Sequence, residues 1–463
     1  MMKIIVANVL TVEEPSQELK DWCKKNLTLP NPDYAKKARM HLWLGNTPSK
    51  ISLYEERGGK LILPFGVLRD LPDSVKRNAT FEGGFIKPEK VEFTGDDVSL
   101  YDYQKDAVDA VYKAWYGILQ SPAGSGKTQM GVALMKKFGK RALWLTHTAD
   151  LLNQSKSRAE LFIDKELIGT ITEGKVNIGS CVTFATIQTM CKLDLAQYKD
   201  YWDVIIVDEC HRVAGSPTAV TQFSKVLNSL SARHKIGLSA TVHRADGMIK
   251  ATYALLGHIV YTVPDEAVSD KVMKVTVEPI GTGTKISRQC LNTDGTLNYA
   301  RLINYLAGDV HRRVVITKKI MENAGKSSLI LSDRLEHLEA LMRNLPAPMR
   351  AEAVMVSGKM TSKAGKAQRE QAIEDMRTGK KKYLFATYSL AKEGLDVPCL
   401  ERLYLATPQK DYAVVTQSIG RIARRCEGKT EAICYDFVDD IAYLVRAYKK
   451  RCGIYRKNKC NIK

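Results

Sequence analysis

The chain has 463 residues, 44% of them hydrophobic, with 70 Lys and Arg against 51 Asp and Glu and a formal net charge of +19. That length accommodates about three domains, each able to bury its own core, and the composition is that of a soluble globular protein without an apolar run near the roughly 18 residues of a membrane span. The basic excess favours a polyanionic partner, because each neutralised phosphate releases condensed counterions.

The apolar start, Met1 to Leu10, carries only Lys3 as a charge and reads as a first strand rather than a cleaved signal. Gln17–Asn26 is expected to be a helix and Lys60–Leu63 a strand, with paired glycines at 58–59 and 83–84 marking turns. Residues 1–95 therefore form a small accessory domain, with DNA binding as its expected role. From Asp97 onward, short apolar runs at Ala142–Leu145, Val204–Val207 and Ile236–Leu238 each lead into polar loops. A buried parallel sheet presents itself in this way, with functional loops at the carboxyl ends of its strands. After a connector around Asp265–Gly325 the alternation resumes. Strands are expected at Ser328–Leu331, Ala353–Val356, Tyr383–Ala386, Arg402–Leu405 and Ala432–Phe437, with helices at Arg334–Leu345, Lys363–Arg377 and Tyr412–Arg425. The fold class is α/β, with two parallel-sheet lobes in tandem at 96–265 and 266–463. Ten scattered cysteines without Cys-x-x-Cys spacing predict reduced, mostly buried thiols in a cytoplasmic protein and no clustered metal site.

Ser121-Pro-Ala-Gly-Ser-Gly-Lys-Thr128 resembles a Walker A loop, with Ser121 where the strict pattern has Gly. Ser121, Ala123, Gly124, Ser125 and Gly126 let backbone N–H groups curl around a phosphate, and the following helix adds its positive end. Lys127 would reach the β and γ phosphates of ATP, and the Thr128 hydroxyl would ligate Mg²⁺. About eighty residues later, Val204-Ile-Ile-Val-Asp-Glu-Cys-His211 ends a strand in two carboxylates. Asp208 would hold the metal through its shell, and Glu209 would orient or deprotonate the attacking water. Each segment alone is compatible with an ordinary Gly-rich or acidic turn. Together, at this separation, they predict ATP hydrolysis.

From Leu100 to Asp436 the chain resembles the superfamily 2 helicases. Asp208–His211 is similar to their DExH box and Ser239-Ala-Thr241 to their Ser-Ala-Thr motif. The resemblance implies two RecA-like lobes, ATP and Mg²⁺ as cofactors, and DNA (forked, branched or single-stranded) as partner to a monomer. It places Gln104 at adenine, and Thr146, His147, Thr186, Gln188, Ser332 and Thr387 on the nucleic-acid backbone. His211, Ser239, Thr241 and Gln417 would couple hydrolysis to movement. Ala386–Asp396 resembles motif V, giving Gly394 and Asp396 a nucleotide role, and Gln417–Arg424 resembles motif VI. On a helix, Gln417, Arg421 and Arg424 lie at i, i+4 and i+7 and share one face, so two permanent cations would meet the charge developing on the γ-phosphoryl group. Val242–Gly247 resembles the Arg-x-Asp-Gly extension of XPB-like, UvsW-like and restriction-translocase members, with Val242 where those usually have Pro. The layout looks most like UvsW-type enzymes that remodel forks and junctions.

The implied function is an ATP-dependent DNA helicase that unwinds or branch-migrates forked DNA. Duplex translocation without strand separation and ATP-switched binding of branched DNA use the same motifs. Gly379–Lys382 reads as a solvated turn. The tail Lys449–Lys463 has seven basic and no acidic side chains around Tyr455, and reads either as a frayed solvated end or as a surface that stacks on bases.

Overall fold

The structure, a computed structural model, describes every residue except 1, 123, 241–246, 265, 269–271, 359, 361, 394, 396 and 398. It falls into two units, Met1–Ala267 and Val268–Lys463. Strands are numbered in chain order. The apolar start is two strands rather than one: β1 (Met2–Val6) and β2 (Val9–Glu13) pair antiparallel across a turn at Ala7 and Asn8. Helix Gln17–Asn26 follows as expected, its first turn capped by the Ser16 hydroxyl, which accepts from the Leu19 N–H, and its last turn carrying Lys24 and Lys25. β3 (Thr28–Pro30) and β4 (Lys50–Ser52) form a two-stranded ribbon flanking helix Pro32–Arg39. β5 (Glu55–Arg57), β6 (Lys60–Pro64) and β7 (Ala79–Gly83) complete a sheet of order β5-β6-β2-β1-β7.

The rest of the first unit is an eight-stranded sheet of order β11-β10-β12-β9-β13-β14-β8-β15. Its strands are β8 (Gly117–Gln120), β9 (Ala142–Thr146), β10 (Ile168–Thr172), β11 (Lys175–Asn177), β12 (Val182–Thr186), β13 (Val204–Asp208), β14 (His234–Ser239) and β15 (Ile259–Thr262). All neighbours are parallel except β10 and β11. β9, β12 and β13 are buried along their whole length, which is why their sequences run apolar without alternation.

The amino-terminal sheet shares one core with this sheet. Leu63 and Phe65 pack in the same cluster as Tyr116, Met248, Ala251 and Ala254. Gly66 permits the closest approach, since a Cβ there would lie 2.5 Å from the Gly257 nitrogen. Lys235, wholly buried at the start of β14, donates to the carbonyls of Asn8 at 2.8 Å and Leu227 at 2.7 Å. Burial pushes its amine down to about 7, and a neutral amine has two hydrogens for these two acceptors. These contacts lie at the amino ends of β8, β14 and β15, the opposite end of the sheet from the loops that follow the strands.

The second unit is a seven-stranded, wholly parallel sheet of order β18-β19-β17-β20-β21-β16-β22. Its strands are β16 (Val275–Lys285), β17 (Ser328–Ser332), β18 (Ala353–Val356), β19 (Tyr383–Thr387), β20 (Arg402–Leu405), β21 (Ala432–Asp440) and β22 (Asn461–Ile462). Three expectations change here. The segment read as a connector supplies β16 and the helices Tyr299–Gly308 and Val310–Glu322; β16 pairs with β21 from Val275 to Gly281 and buries Val275 and Val277. The basic tail is neither frayed nor free to stack. It is the helix Ala442–Lys457, which buries Arg451 and Tyr455 against Asp436. Cys399 and Cys426 form a disulfide, contrary to the expectation of reduced thiols, because the segments that precede the adjacent strands β20 and β21 bring their Cα atoms within 5.3 Å. Gly379 to Lys382 is a turn, as its place before a strand predicts, with Lys382 3.2 Å from Glu352. Among the described residues no helix is long and apolar enough to cross a membrane.

Candidate active site

β12, β9, β13, β14 and β8 are parallel neighbours, so their carboxyl ends lie side by side along the eight-stranded sheet. β8 ends at Gln120, and the chain turns through Ser121–Gly126 into helix Lys127–Phe138. Gly124 (φ +83°) and Gly126 (φ +80°) hold the left-handed conformations that curl the loop. At Gly126 a side chain is excluded twice, since a Cβ would lie 2.4 Å from Gln104 Nε2. Lys127 and Thr128 open the helix, where backbone N–H groups and the helix dipole favour an anion. Ser121 N–H donates to Ser239 O at 2.9 Å, tying the loop to the end of β14.

Asp208 ends β13 with its carboxylate fixed on both oxygens: Oδ1 accepts from Glu209 N–H at 2.9 Å and Oδ2 from the Ser155 hydroxyl at 3.0 Å. Glu209 has φ +47°, a left-handed backbone that a glutamate adopts at a cost of order 1–3 kcal/mol. That strain turns its side chain toward Lys127, whose Nζ lies 3.9 Å from Oε1. His211 Nδ1 lies 3.2 Å from Glu209 Oε2 and shares a 3.0 Å hydrogen bond with the Ser239 hydroxyl. Oε2 is buried and accepts no hydrogen bond. Burial first, then the charge of Glu209, pushes the Asp208 carboxyl up to about 6. Burial would also raise Glu209, but Lys127 and His211 outweigh it and hold it at about 2. An ionised carboxylate with an unused lone pair beside a lysine fits a water to be oriented and a polyphosphate to be gripped. Thr128 and Asp208 are the groups suited to a hard cation such as Mg²⁺.

Other predicted residues take different places. Gln104 does not present a free amide: Oε1 accepts from Tyr101 N–H at 3.0 Å and Nε2 donates to Ser125 O at 2.8 Å. It braces the phosphate loop and caps its own helix. Thr146 and Thr186 lie side by side in register but are buried; Thr146 Oγ1 donates to Thr148 O and Thr186 Oγ1 to Thr189 Oγ1, so they shape loops rather than offer hydroxyls to a backbone. Gln188 donates to His147 O at 2.8 Å, joining those two loops. Ala123, Thr241, Gly394 and Asp396, with the Val242–Asp246 stretch of the extension, lie outside the described residues.

In the second unit, Ser332 is buried at the end of β17 and pairs with His337, and Thr387 at the end of β19 pairs with Ser389. Helix Tyr412–Ile422 stops short of Arg424, so the expected three-residue face is reduced to Gln417 and Arg421. Arg424 instead bridges to Val272 in extended backbone. Lys429 closes the helix by donating to Arg424 O at 2.8 Å and to Ile422 O. Gln417 Oε1 is buried without a hydrogen bond. Sequence reasoning missed Ser155, Tyr103 and Lys429. Ser155 carries no sequence signal, whereas Tyr103, whose hydroxyl donates to Ser125 O at 3.1 Å, adjoins the recognised Gln104.

Residues 97–244 match the family described as type III restriction enzyme, res subunit, and residues 312–426 match the helicase conserved C-terminal domain. A protein of Acanthamoeba polyphaga mimivirus named as an ATP-dependent RNA helicase is 26% identical over 89% of this chain and 77% of its own length. A protein of Escherichia phage T5 named as a helicase is 23% identical over 99% of this chain and 95% of its own. The DNA 3'-5' translocase XPB2 of Sulfurisphaera tokodaii is 23% identical over 71% of this chain and 80% of its own. Among solved structures, an HsdR subunit fragment of a type I restriction enzyme from Vibrio vulnificus shares the fold over 74% of this chain and 65% of its own, at 20% identity and a TM-score of 0.55. T4 UvsW aligns over 100% of this chain and 98% of its own at 18% identity, with a TM-score of 0.43, too low to carry an argument from shape.

Proposed function

We propose a function from the premise that this chain is an ATP-dependent nucleic-acid helicase of superfamily 2, related to XPB. Its track is DNA, and its preferred substrates are forked and branched DNA met in replication, recombination or repair. The observation that carries the motor reading is the path of close contacts from Lys127 through Glu209 and His211 to Ser239, which links the hydrolytic carboxylate to the end of β14. The net charge of +19 supports a nucleic-acid track, and the naming of the XPB2 relative supports DNA.

Lys127 grips the β and γ phosphates of ATP, Glu209 orients the attacking water, and Thr128 and Asp208 hold Mg²⁺. When bound, Mg²⁺ neutralises charge on the phosphate oxygens. Arg421 supplies the cation that stabilises the transferred group. His211 reports the state of Glu209 to Ser239, so hydrolysis changes the grip on the track.

The test is ATP turnover of the full chain with single-stranded DNA, duplex, fork, four-way junction and RNA, with strand displacement recorded in parallel. Forks and junctions are expected to stimulate most, and the preference should survive moderate salt while overall affinity falls steeply with log salt. Equal or stronger stimulation by RNA would overturn the DNA assignment. The naming of the XPB2 relative as a translocase favours a second reading, duplex translocation without strand separation. Turnover on duplex without strand displacement on any substrate would select it.

A further inference from the structure

Residues 31–49 leave the β3–β4 ribbon and return to it without entering any core. Helix Pro32–Arg39 has no buried residue, and the amino-terminal cluster passes from Leu29 to Ile51 with nothing between. The excursion is nevertheless ordered. Asn31, itself buried, caps the helix by accepting from Asp33 N–H at 2.9 Å and donates to Pro48 O at 2.8 Å, clamping the two ends of the excursion together. Lys37 Nζ donates to Thr47 Oγ1 at 2.7 Å across its middle, and Leu42 N–H donates to Lys37 O at 2.9 Å.

The tip of this braced element faces water with apolar side chains: Met40 is 54% exposed, Leu42 52% and Trp43 88%. A Cβ at Gly45 (φ +49°) would lie 2.8 Å from the Trp43 indole, so a glycine is what lets the chain turn this close to the ring. Holding three large apolar groups in water on an element that stabilises no core marks an interaction surface. Its occupant is indicated by charge. From 32 to 50 the sequence has Lys36, Lys37, Arg39 and Lys50 against Asp33 as the sole acid. An exposed indole on a segment this rich in cations suits a nucleobase flanked by phosphates.

We propose that residues 31–49 are a nucleic-acid-binding tip in which Trp43 stacks on an unpaired or duplex-terminal base while Lys36, Arg39 and Lys50 hold the adjoining phosphates. This deepens the branched-DNA reading and rests on it for the source of such bases. The β3–β4 ribbon that carries the tip packs through Leu29 and Ile51 into the core shared with the eight-stranded sheet, so a base held by Trp43 is held by the unit that carries Lys127.

The experiment uses the full chain without nucleotide, titrated onto a DNA fork carrying 2-aminopurine at the first unpaired position. Wild type is expected to quench the probe. Trp43→Ala should abolish the quenching and weaken binding about tenfold, within the range for loss of one stacked base. Trp43→Phe should restore most of both. Lys36→Glu with Arg39→Glu should weaken binding and flatten the dependence of log affinity on log salt by about two phosphate contacts. Since Trp43 is solvent-exposed, the melting temperature of Trp43→Ala should equal that of wild type, which excludes misfolding as the cause. Equal quenching and affinity in wild type and Trp43→Ala would overturn the tip. The two readings fail separately. Quenching that depends on Trp43 without fork-stimulated turnover removes the branched-substrate preference and keeps the tip, whereas fork-stimulated turnover with Trp43-independent quenching does the reverse.

Discussion

The two units build the same kind of parallel sheet yet treat buried charge in opposite ways. In the second unit, Arg312, Arg402 and Arg451 are buried, and each meets a carboxylate: Asp439 at 2.7 Å, Glu431, and Asp436 at 2.7 Å. In the first unit buried Lys235 meets two backbone carbonyls and no acid, and the half-buried Glu209 has one carboxylate oxygen, 3.2 Å from His211, that accepts no hydrogen bond. A closed ion pair fixes geometry because neither charge can leave without stranding the other. An open one can change partner. The difference assigns rigidity to the second unit's interior and convertible electrostatics to the first unit, at both ends of its eight-stranded sheet.

The sharpest way to break this contrast is at the second unit's helix Tyr412–Ile422. If that unit only frames, Arg421→Ala should be mild. The proposed γ-phosphoryl contact instead predicts a fall in DNA-stimulated turnover of about 10³-fold or more with a smaller change in ATP affinity, read by steady-state kinetics and nucleotide titration. Glu209→Gln keeps shape but cannot take a proton, so turnover should fall by about 10²–10⁴-fold while ATP still binds. A collapse of affinity with normal turnover per bound ATP would make Glu209 a structural group.

Asp436→Asn tests the closed pairs. It leaves Arg451 buried beside a neutral amide and should cost about 3–5 kcal/mol of stability, measured by urea unfolding. No loss would mean that the network of Asp436, Arg451 and Tyr455 tolerates an unpaired cation.

The smallest effect is a pH slope. The Lys235 amine is depressed from 10.5 to about 7 in the native chain, so between those values the unfolded chain carries a proton that the folded chain lacks. Stability from this group is therefore full above about pH 10.5 and is lost as pH falls toward 7, with a slope of at most about 1.4 kcal/mol per pH unit. Lys235→Met should flatten stability against pH across that window. An unchanged slope would show that Lys235 stays charged when buried.

Most of the sheet framework was legible because strands buried on both faces read as apolar runs ending in polar loops. The phosphate loop and the Asp208–His211 segment were legible for a related reason, since a phosphate cradle requires small residues at fixed spacing. What stayed hidden was decided by long-range packing. Val275–Lys285 carries Thr, Glu, Pro and Gly among its valines and shows its strand character only beside β21. The tail looked like a charge run, yet Leu444, Ala447, Arg451 and Ile454 recur at helical spacing and bury one stripe. Gln104 was found by motif, but its engagement with Ser125 depends on a loop twenty-one residues away. Cys399 and Cys426 are 27 residues apart, and only the adjacency of β20 and β21 joins them.

The core shared by the amino-terminal sheet and the β8–β15 sheet has a mechanical consequence. Phe65 wedged among Tyr116, Ala251 and Ala254, with Gly66 against the Gly257 backbone, leaves no hinge at that seam. A tug on Trp43 is then borne by the same scaffold that anchors Lys127, as a handle is rigid with its blade. Load applied to the track should register as a change in nucleotide release, and an optical-trap record of stalling force should be sensitive to loosening this seam, for instance by Phe65→Ala, even though Phe65 touches neither ATP nor DNA.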